Sequence, residues 1–113
     1  MIARMWHGAV PASKQKDYRA YLEKTGVPDS RATPGNRGVA VLERREGDVA
    51  HFVFVSLWES LEAIRAFAGD TPEKARYYPE DAAFLLELEP TVTHYEVGVL
   101  AGLDAAPAAK AFR

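Results

Sequence analysis

The run V-A-H-F-V-F-V-S-L-W at residues 49–58 is apolar in both phases of a β-strand, and no other stretch constrains the fold as much. Successive strand side chains point to opposite faces, so Phe52, Phe54 and Trp58 share one face while Val53, Val55 and Leu57 share the other. A strand with one wet face alternates apolar and polar residues, and this one does not. Helices can cover one side of its sheet. The other side would expose an apolar patch larger than a monomer usually tolerates. The expected solution is a homodimer in which two sheets pack face to face and close an α+β barrel.

The rest of the chain supplies the sheet and its cover. Ile2 to Val10 reads as a first strand ended by Pro11. Ser13 is the expected N-cap of a helix whose stripe is Tyr18, Tyr21, Leu22 and Thr25, with Gly26 as its stop. Residues 27–38 carry two prolines and two glycines and read as a long turn-rich connection. Residues 39–45 and 49–58 flank Glu46-Gly47-Asp48 as a β-hairpin. Ser60 caps a helix with Leu61, Ile64, Phe67 and Ala68 at helical spacing, stopped by Gly69. A further helical turn is expected after Thr71-Pro72, another over residues 81–88, and a last strand over 91–100. The order β-α-β-β-α-β is the ferredoxin-like split, an α+β fold with all helices on one face of an antiparallel sheet.

A chain of 113 residues makes one domain, placed at 1–100, with an Ala-rich C-terminal tail over 101–113. Fourteen Lys and Arg against sixteen Asp and Glu give a net charge of −2, which argues against nucleic acid or a membrane as partner. The absence of cysteine excludes disulfides, thiolate catalysis and Cys-ligated metal centres. No apolar run approaches the ~18–20 residues of a membrane span, and no signal-peptide core follows Met1-Ile2-Ala3-Arg4, so a cytoplasmic domain is expected.

Three histidines, His7, His51 and His94, fall on expected strands and none has metal-pair spacing. A metal site from two histidines and a carboxylate is geometrically conceivable if His7 and His94 lie on neighbouring strands, although isolated strand histidines are more often structural. Asp17, Glu62 and Asp81 read as surface charges. The aromatic set Trp6, Phe67, Tyr77, Tyr78 and Phe84 reads either as core or as the lining of an apolar ligand pocket between sheet and helices. Polar handles for such a pocket are Arg4, the tyrosine hydroxyls and a histidine. The breaks at Gly69, Pro72 and Pro79 favour a pocket, since a broken helix cannot seal the sheet.

The words I-A-R-M-W-H-G-x-V at 2–10, S-L-W-E-S-x-E-A-I-R-A-F-A-G at 56–69, A-R-Y-Y-P-E-D at 75–81 and L-E-P-x-V-x-H-Y-E-V at 88–97 together resemble the antibiotic biosynthesis monooxygenase-like domains of the dimeric α+β barrel superfamily. The resemblance implies a homodimer with one pocket per subunit. Relatives of this kind include cofactor-free oxygenases of quinol-like aromatics and haem-degrading monooxygenases. The haem-degrading branch relies on an Asn on the first strand, a Trp on the second helix and an iron-ligating His. This chain has Trp6, Phe67 and Tyr77 or Tyr78 at those places.

The expected function is cofactor-independent oxidation of a small aromatic compound, with no metal. Arg4, Trp6, Phe67, Tyr77 and Tyr78 would bind the substrate. His94 would serve as base, because His7 faces the dimer interface if Arg4, Trp6 and Gly8 face the helices. The alternatives are a haem-binding or haem-degrading protein, through Tyr77 or Tyr78, and a non-catalytic ligand-binding dimer.

Overall fold

Strand β1, Ile2–Pro11, is the centre of the molecule: every second residue from Arg4 to Val10 is buried, which is the period of a strand covered on one face. The computed structural model describes residues 1–102, so all but the first two residues of the expected tail lie outside the described residues. A 3-10 turn over Ala12–Lys14 leads into helix α1, Gln15–Lys24, followed by α2, Gly26–Ala32. Strands β2, Asn36–Glu46, and β3, Val49–Trp58, form the hairpin, and α3 spans Leu61–Ala68. A short α4, Asp81–Phe84, and strand β4, Thr93–Glu96, complete the described chain. The sheet order is β2-β3-β1-β4, antiparallel at every pairing, as the ferredoxin-like split requires.

Four local expectations are corrected. No side-chain hydrogen bond caps α1, so Ser13 does not act as its N-cap. Gly26 is not a helix stop but the first residue of α2, and the connection expected over 27–38 is half helix. Pro28 is tolerated there because the first-turn amides of a helix have no intrahelical acceptor to lose. Gly26 is small for packing reasons: a Cβ would lie 3.2 Å from the Phe54 ring. The third difference is that residues 71–78 are turn and extended chain, and α4 is one turn long. An isolated bridge between Lys74 and Thr91 holds that segment, with Ala75 N–H donating to the Pro90 carbonyl at 2.9 Å. Lastly, β4 is four residues long and pairs with Ile2 to Met5 of β1; beyond it Val97 N–H donates to the Met1 carbonyl, and Leu86 N–H donates to the Ala9 carbonyl near the far end of β1.

The expected cap at Ser60 is present, its hydroxyl accepting from Ala63 N–H at 3.2 Å. Gly47 opens the hairpin at φ 59, a conformation that favours glycine. Two apolar clusters lie between sheet and helices. The larger gathers Trp6, Val10, Tyr18, Leu22, Phe52 and Phe54; the smaller holds Trp58, Ile64 and Phe67. Trp58 is fully buried with its indole N–H on the Ser56 hydroxyl. The opposite sheet face carries Val53, Val55 and Leu57 partly exposed, with Leu42 and Tyr95 more than half exposed. Cross-strand rows such as Leu42–Val53–His7 and Ala40–Val55–Met5 make that face continuous.

Candidate functional site

A narrow slot opens between the inner face of the sheet and the chain over α1, α2 and residues 76–81. It encloses about 40 Å³ of water-accessible space. β1 contributes Arg4 and Trp6 from the same face, two residues apart, and β3 contributes Phe54. Helix α3 presents Phe67 from its buried stripe. The extended segment after Gly69 supplies Arg76, Tyr77 and Tyr78, and α4 supplies Asp81. Arg4, Trp6, Phe67, Tyr77 and Tyr78, the five binding residues expected from the sequence, thus line one cavity.

Hydrogen bonds fix most of these groups. Trp6 Nε1–H donates to the Tyr77 hydroxyl at 3.2 Å, and that hydroxyl donates to the Glu89 carbonyl at 2.5 Å. The two rings meet edge to face at 6.2 Å. Tyr78 donates its hydroxyl to Asp29 Oδ2 at 2.6 Å, and Arg76 Nη2 reaches the same oxygen at 3.4 Å. This pair ties the 76–78 segment to α2 and forms the rim of the slot. The Arg76 guanidinium lies 4.7 Å from the centre of the Phe67 ring and 5.0 Å from that of Tyr78. The Arg4 guanidinium lies 5.6 Å from the Phe67 ring centre.

Asp81, expected as a surface charge, is here a wall of the slot. It is 3% exposed, not a surface charge. Its Oδ1 accepts from the Tyr18 hydroxyl at 2.9 Å and its Oδ2 from Tyr78 N–H at 2.6 Å. Asp17 and Glu62 are exposed, as expected. Tyr18, Leu22 and Arg76, outside the expected binding set, also line the slot. The only sequence signal for Tyr18 and Leu22 is their place on the apolar stripe of α1.

His94 does not line the slot. It stands opposite Arg4 across the β1–β4 pairing, with Nε2 buried and without a hydrogen-bond partner. Burial, then the Arg4 charge, lower its pKa and keep the imidazole neutral at pH 7. Arg4 is itself brought down to about 10 by burial and by Arg76, and remains a cation. Burial raises the pKa of Tyr18, with Asp81 adding to the effect, and raises those of Tyr77 and Tyr78.

His7 lies on the outer sheet face. Its Nδ1 is 2.6 Å from Glu89 Oε2 and its Nε2 is 3.1 Å from His51 Nδ1, while His51 Nε2 is 3.2 Å from Glu46. His7 and His94 therefore face opposite sides of the sheet and do not converge. Among the described residues, no group of three or more His, Cys, Asp or Glu side chains is placed to hold a metal ion. No helix among them is long and apolar enough to cross a membrane.

The family model described as antibiotic biosynthesis monooxygenase matches residues 1–75. Among solved structures, a single-residue variant of MhuD with two manganese protoporphyrin IX bound per active site is 22% identical at a TM-score of 0.60, covering 90% of this chain and 99% of its own. Rv0793 from Mycobacterium tuberculosis is 20% identical at a TM-score of 0.56, covering 94% and 98%. At these identities the likeness is one of fold. No curated protein matches the sequence.

Proposed function

The chain belongs to the antibiotic biosynthesis monooxygenase family, and from that premise we propose that it binds a small electron-rich aromatic compound in the slot beside Trp6 and oxidises it with O₂. The observation that carries this reading is the slot itself, where Trp6, Phe67, Tyr77 and Tyr78 surround a space entered by the buried cation Arg4. Rings bind a flat apolar substrate by area and edge-to-face contact, and the few polar groups orient it.

The chemistry needs no external reductant. An activated ring CH₂, or its phenol tautomer, loses a proton, and the resulting anion passes one electron to O₂. Collapse of the radical pair forms a C–O bond, and the hydroperoxide eliminates water to leave C=O. One oxygen atom enters the product, the other leaves as water, and the substrate supplies all four electrons. The protein has to orient the substrate, exclude water and accept a proton.

We assign proton acceptance to His94. It is neutral, and its buried Nε2 has no competing bond, whereas both Asp81 oxygens already accept. It stands across the β1–β4 pairing from Arg4 and outside the slot lining, so this role requires a substrate that extends past Arg4 towards β4. O₂ uptake by the purified, metal-free protein with hydroxyarene or anthrone-type substrates tests the class, and undiminished turnover in His94→Ala rejects the assigned base.

A haem-type ligand is the second reading, favoured by the fold shared with the porphyrin-bound MhuD variant. The residues here do not fit it well. Ferric iron would need a tyrosinate, but the Tyr77 and Tyr78 hydroxyls donate to Glu89 and Asp29, and burial holds both phenols protonated. Haem titration tests it directly: absence of a Soret shift at stoichiometric haem removes the reading.

The continuous apolar row Ala40–Val55–Met5 on the outer sheet face supports a homodimer closed through that face.

A further inference from the structure

Arg4 is 4% exposed, and among the described residues no carboxylate accompanies its charge. Its Nη2 donates to the Lys74 carbonyl at 3.1 Å, while its Nε is buried without a partner. The charge that acts on it is the like charge of Arg76, which faces the same Phe67 ring. His94, its cross-strand neighbour, is neutral and offers no compensation. A buried cation without a counter-charge is destabilising, because desolvation is not offset by a partner. Such a group is expected where the missing anion arrives with a ligand.

The slot supports this on both sides. Its one carboxylate, Asp81, is already bonded to Tyr18 and to the Tyr78 amide, so it neither neutralises Arg4 nor repels an anion strongly. Arg76 donates Nη1 to the Phe67 carbonyl at 3.0 Å and reaches Asp29 with Nη2 at 3.4 Å, which leaves part of its fork for a ligand, and with Arg4 it makes a two-point anion clamp. The walls beyond are apolar: Trp6, Leu22, Phe54 and the face of Phe67. The cavity thus has a cationic end and an aromatic end.

We propose that the ligand of this slot is an aromatic carboxylate, its carboxyl group held between Arg4 and Arg76 and its ring laid against Phe67 and Trp6. The inference rests on the proposed aromatic-binding reading and refines it to a substrate class, the hydroxyaryl carboxylic acids. Entry of a ring requires Arg76 and Tyr78 to swing away from Asp29, since the closed slot holds little more than water.

Salicylate and salicylamide share ring and hydroxyl and differ in the carboxylate charge, so they serve as probes. Binding is read by calorimetry at low ionic strength and by the ¹⁵N–H signal of Arg4 Nε in the unmodified protein. Salicylate is expected to bind at least tenfold tighter than salicylamide and to shift the Arg4 Nε–H resonance, with acetate much weaker. Arg4→Gln should abolish the preference for salicylate and Arg4→Lys should keep part of it. The Arg4 resonance decides the matter even if Arg4→Gln does not fold. Equal binding of both probes overturns the anion clamp and leaves the aromatic slot standing. Acetate as effective as salicylate removes the aromatic part, and no binding of either probe at millimolar concentration overturns the slot reading together with this one.

Discussion

The Tyr18 hydroxyl donates to Asp81 Oδ1 at 2.9 Å, joining α1 to α4 through two side chains that are both almost fully buried. Asp81 also accepts from Tyr78 N–H, so one carboxylate fixes the helix layer and the extended segment that carries Tyr77 and Tyr78. Asp81→Ala would leave a buried phenol and a backbone amide without acceptors. The expected loss is about 3 kcal/mol, from the cost of roughly 1–3 kcal/mol for each buried group left unsatisfied. Tyr18→Phe should cost less, about 1–2 kcal/mol, since it removes a donor but leaves Asp81 its amide bond. Urea midpoints of the two variants measure both, and similar stability for Asp81→Ala and the parent would contradict this anchoring role.

Alkaline pH should unfold the protein through the same contact. Burial raises the folded-state pKa of Tyr18 above the ordinary tyrosine value, with Asp81 contributing, and Tyr78 is raised by burial and its bond to Asp29. The folded state then holds these protons more tightly than the unfolded chain does. Their stabilisation is complete below about pH 10, the unfolded tyrosine value, and is lost as pH rises above it. Tyrosinate absorbance at alkaline pH should appear in step with loss of the near-ultraviolet circular dichroism. Smooth ionisation of every tyrosine in a still-folded protein would refute the argument, and Tyr18→Phe should weaken the alkaline transition.

Much of this site could be read from residue spacing, and the part that could not has a definite physical origin. Arg4, Trp6, Gly8 and Val10 alternate in a strand ended by Pro11, so their common face followed from period two, and His7 on the opposite face followed with it. Asp81 was hidden because a carboxylate in the first turn of a short helix is ordinarily solvated. Its burial comes from a tyrosine 63 residues away. Gly26 was misread because helix termination and close packing both select glycine, and the Phe54 ring that decides between them lies on another element. Residues 69–92 resisted reading for a similar reason. Their amides are satisfied by scattered long-range bonds, Ala75 to Pro90 and Leu86 to Ala9, which have no sequence period.

Acid should expose His94. Burial and the Arg4 charge lower its folded-state pKa, so the unfolded chain binds this proton more readily. Its contribution to stability is present above about pH 6.5, the ordinary histidine value, and is lost as pH falls below that towards the folded value. The His94 Cε1–H signal should titrate below that ordinary value, and Arg4→Gln should bring the midpoint upward by removing the like charge. A His94 midpoint that does not respond to Arg4→Gln would mean the two side chains are not electrostatically coupled.

Gly8 makes room for the Trp6 indole, which is one wall of the slot. A Cβ built on it would lie 2.3 Å from Trp6 Cη2 and 2.9 Å from Leu85 Cδ2, so the indole lies directly over the glycine. Gly8→Ala must push the indole off its bond to the Tyr77 hydroxyl or move the backbone, at a cost of about 1–3 kcal/mol typical of overpacking. Trp6 emission should shift while buried Trp58, in the other cluster, stays unchanged. Aromatic ligand binding should weaken more than global stability does. Unaltered emission and binding in Gly8→Ala would show that the indole position does not govern the slot.

The outer sheet face gives the last prediction, because a lysine there separates dimer closure from folding. Val55 lies between Ala40 of β2 and Met5 of β1, at the middle of the apolar row, and its side chain points away from the helix layer. In a free subunit Val55→Lys reaches water and costs little. Across a face-to-face interface it would bury a charge against another apolar sheet, which is strongly unfavourable without a partner. Light scattering should therefore give twice the chain mass for the parent protein and the single-chain mass for Val55→Lys, with circular dichroism preserved. A parent protein that is monomeric at micromolar concentration would dispose of the face-to-face dimer, and its exposed valines would be ordinary surface.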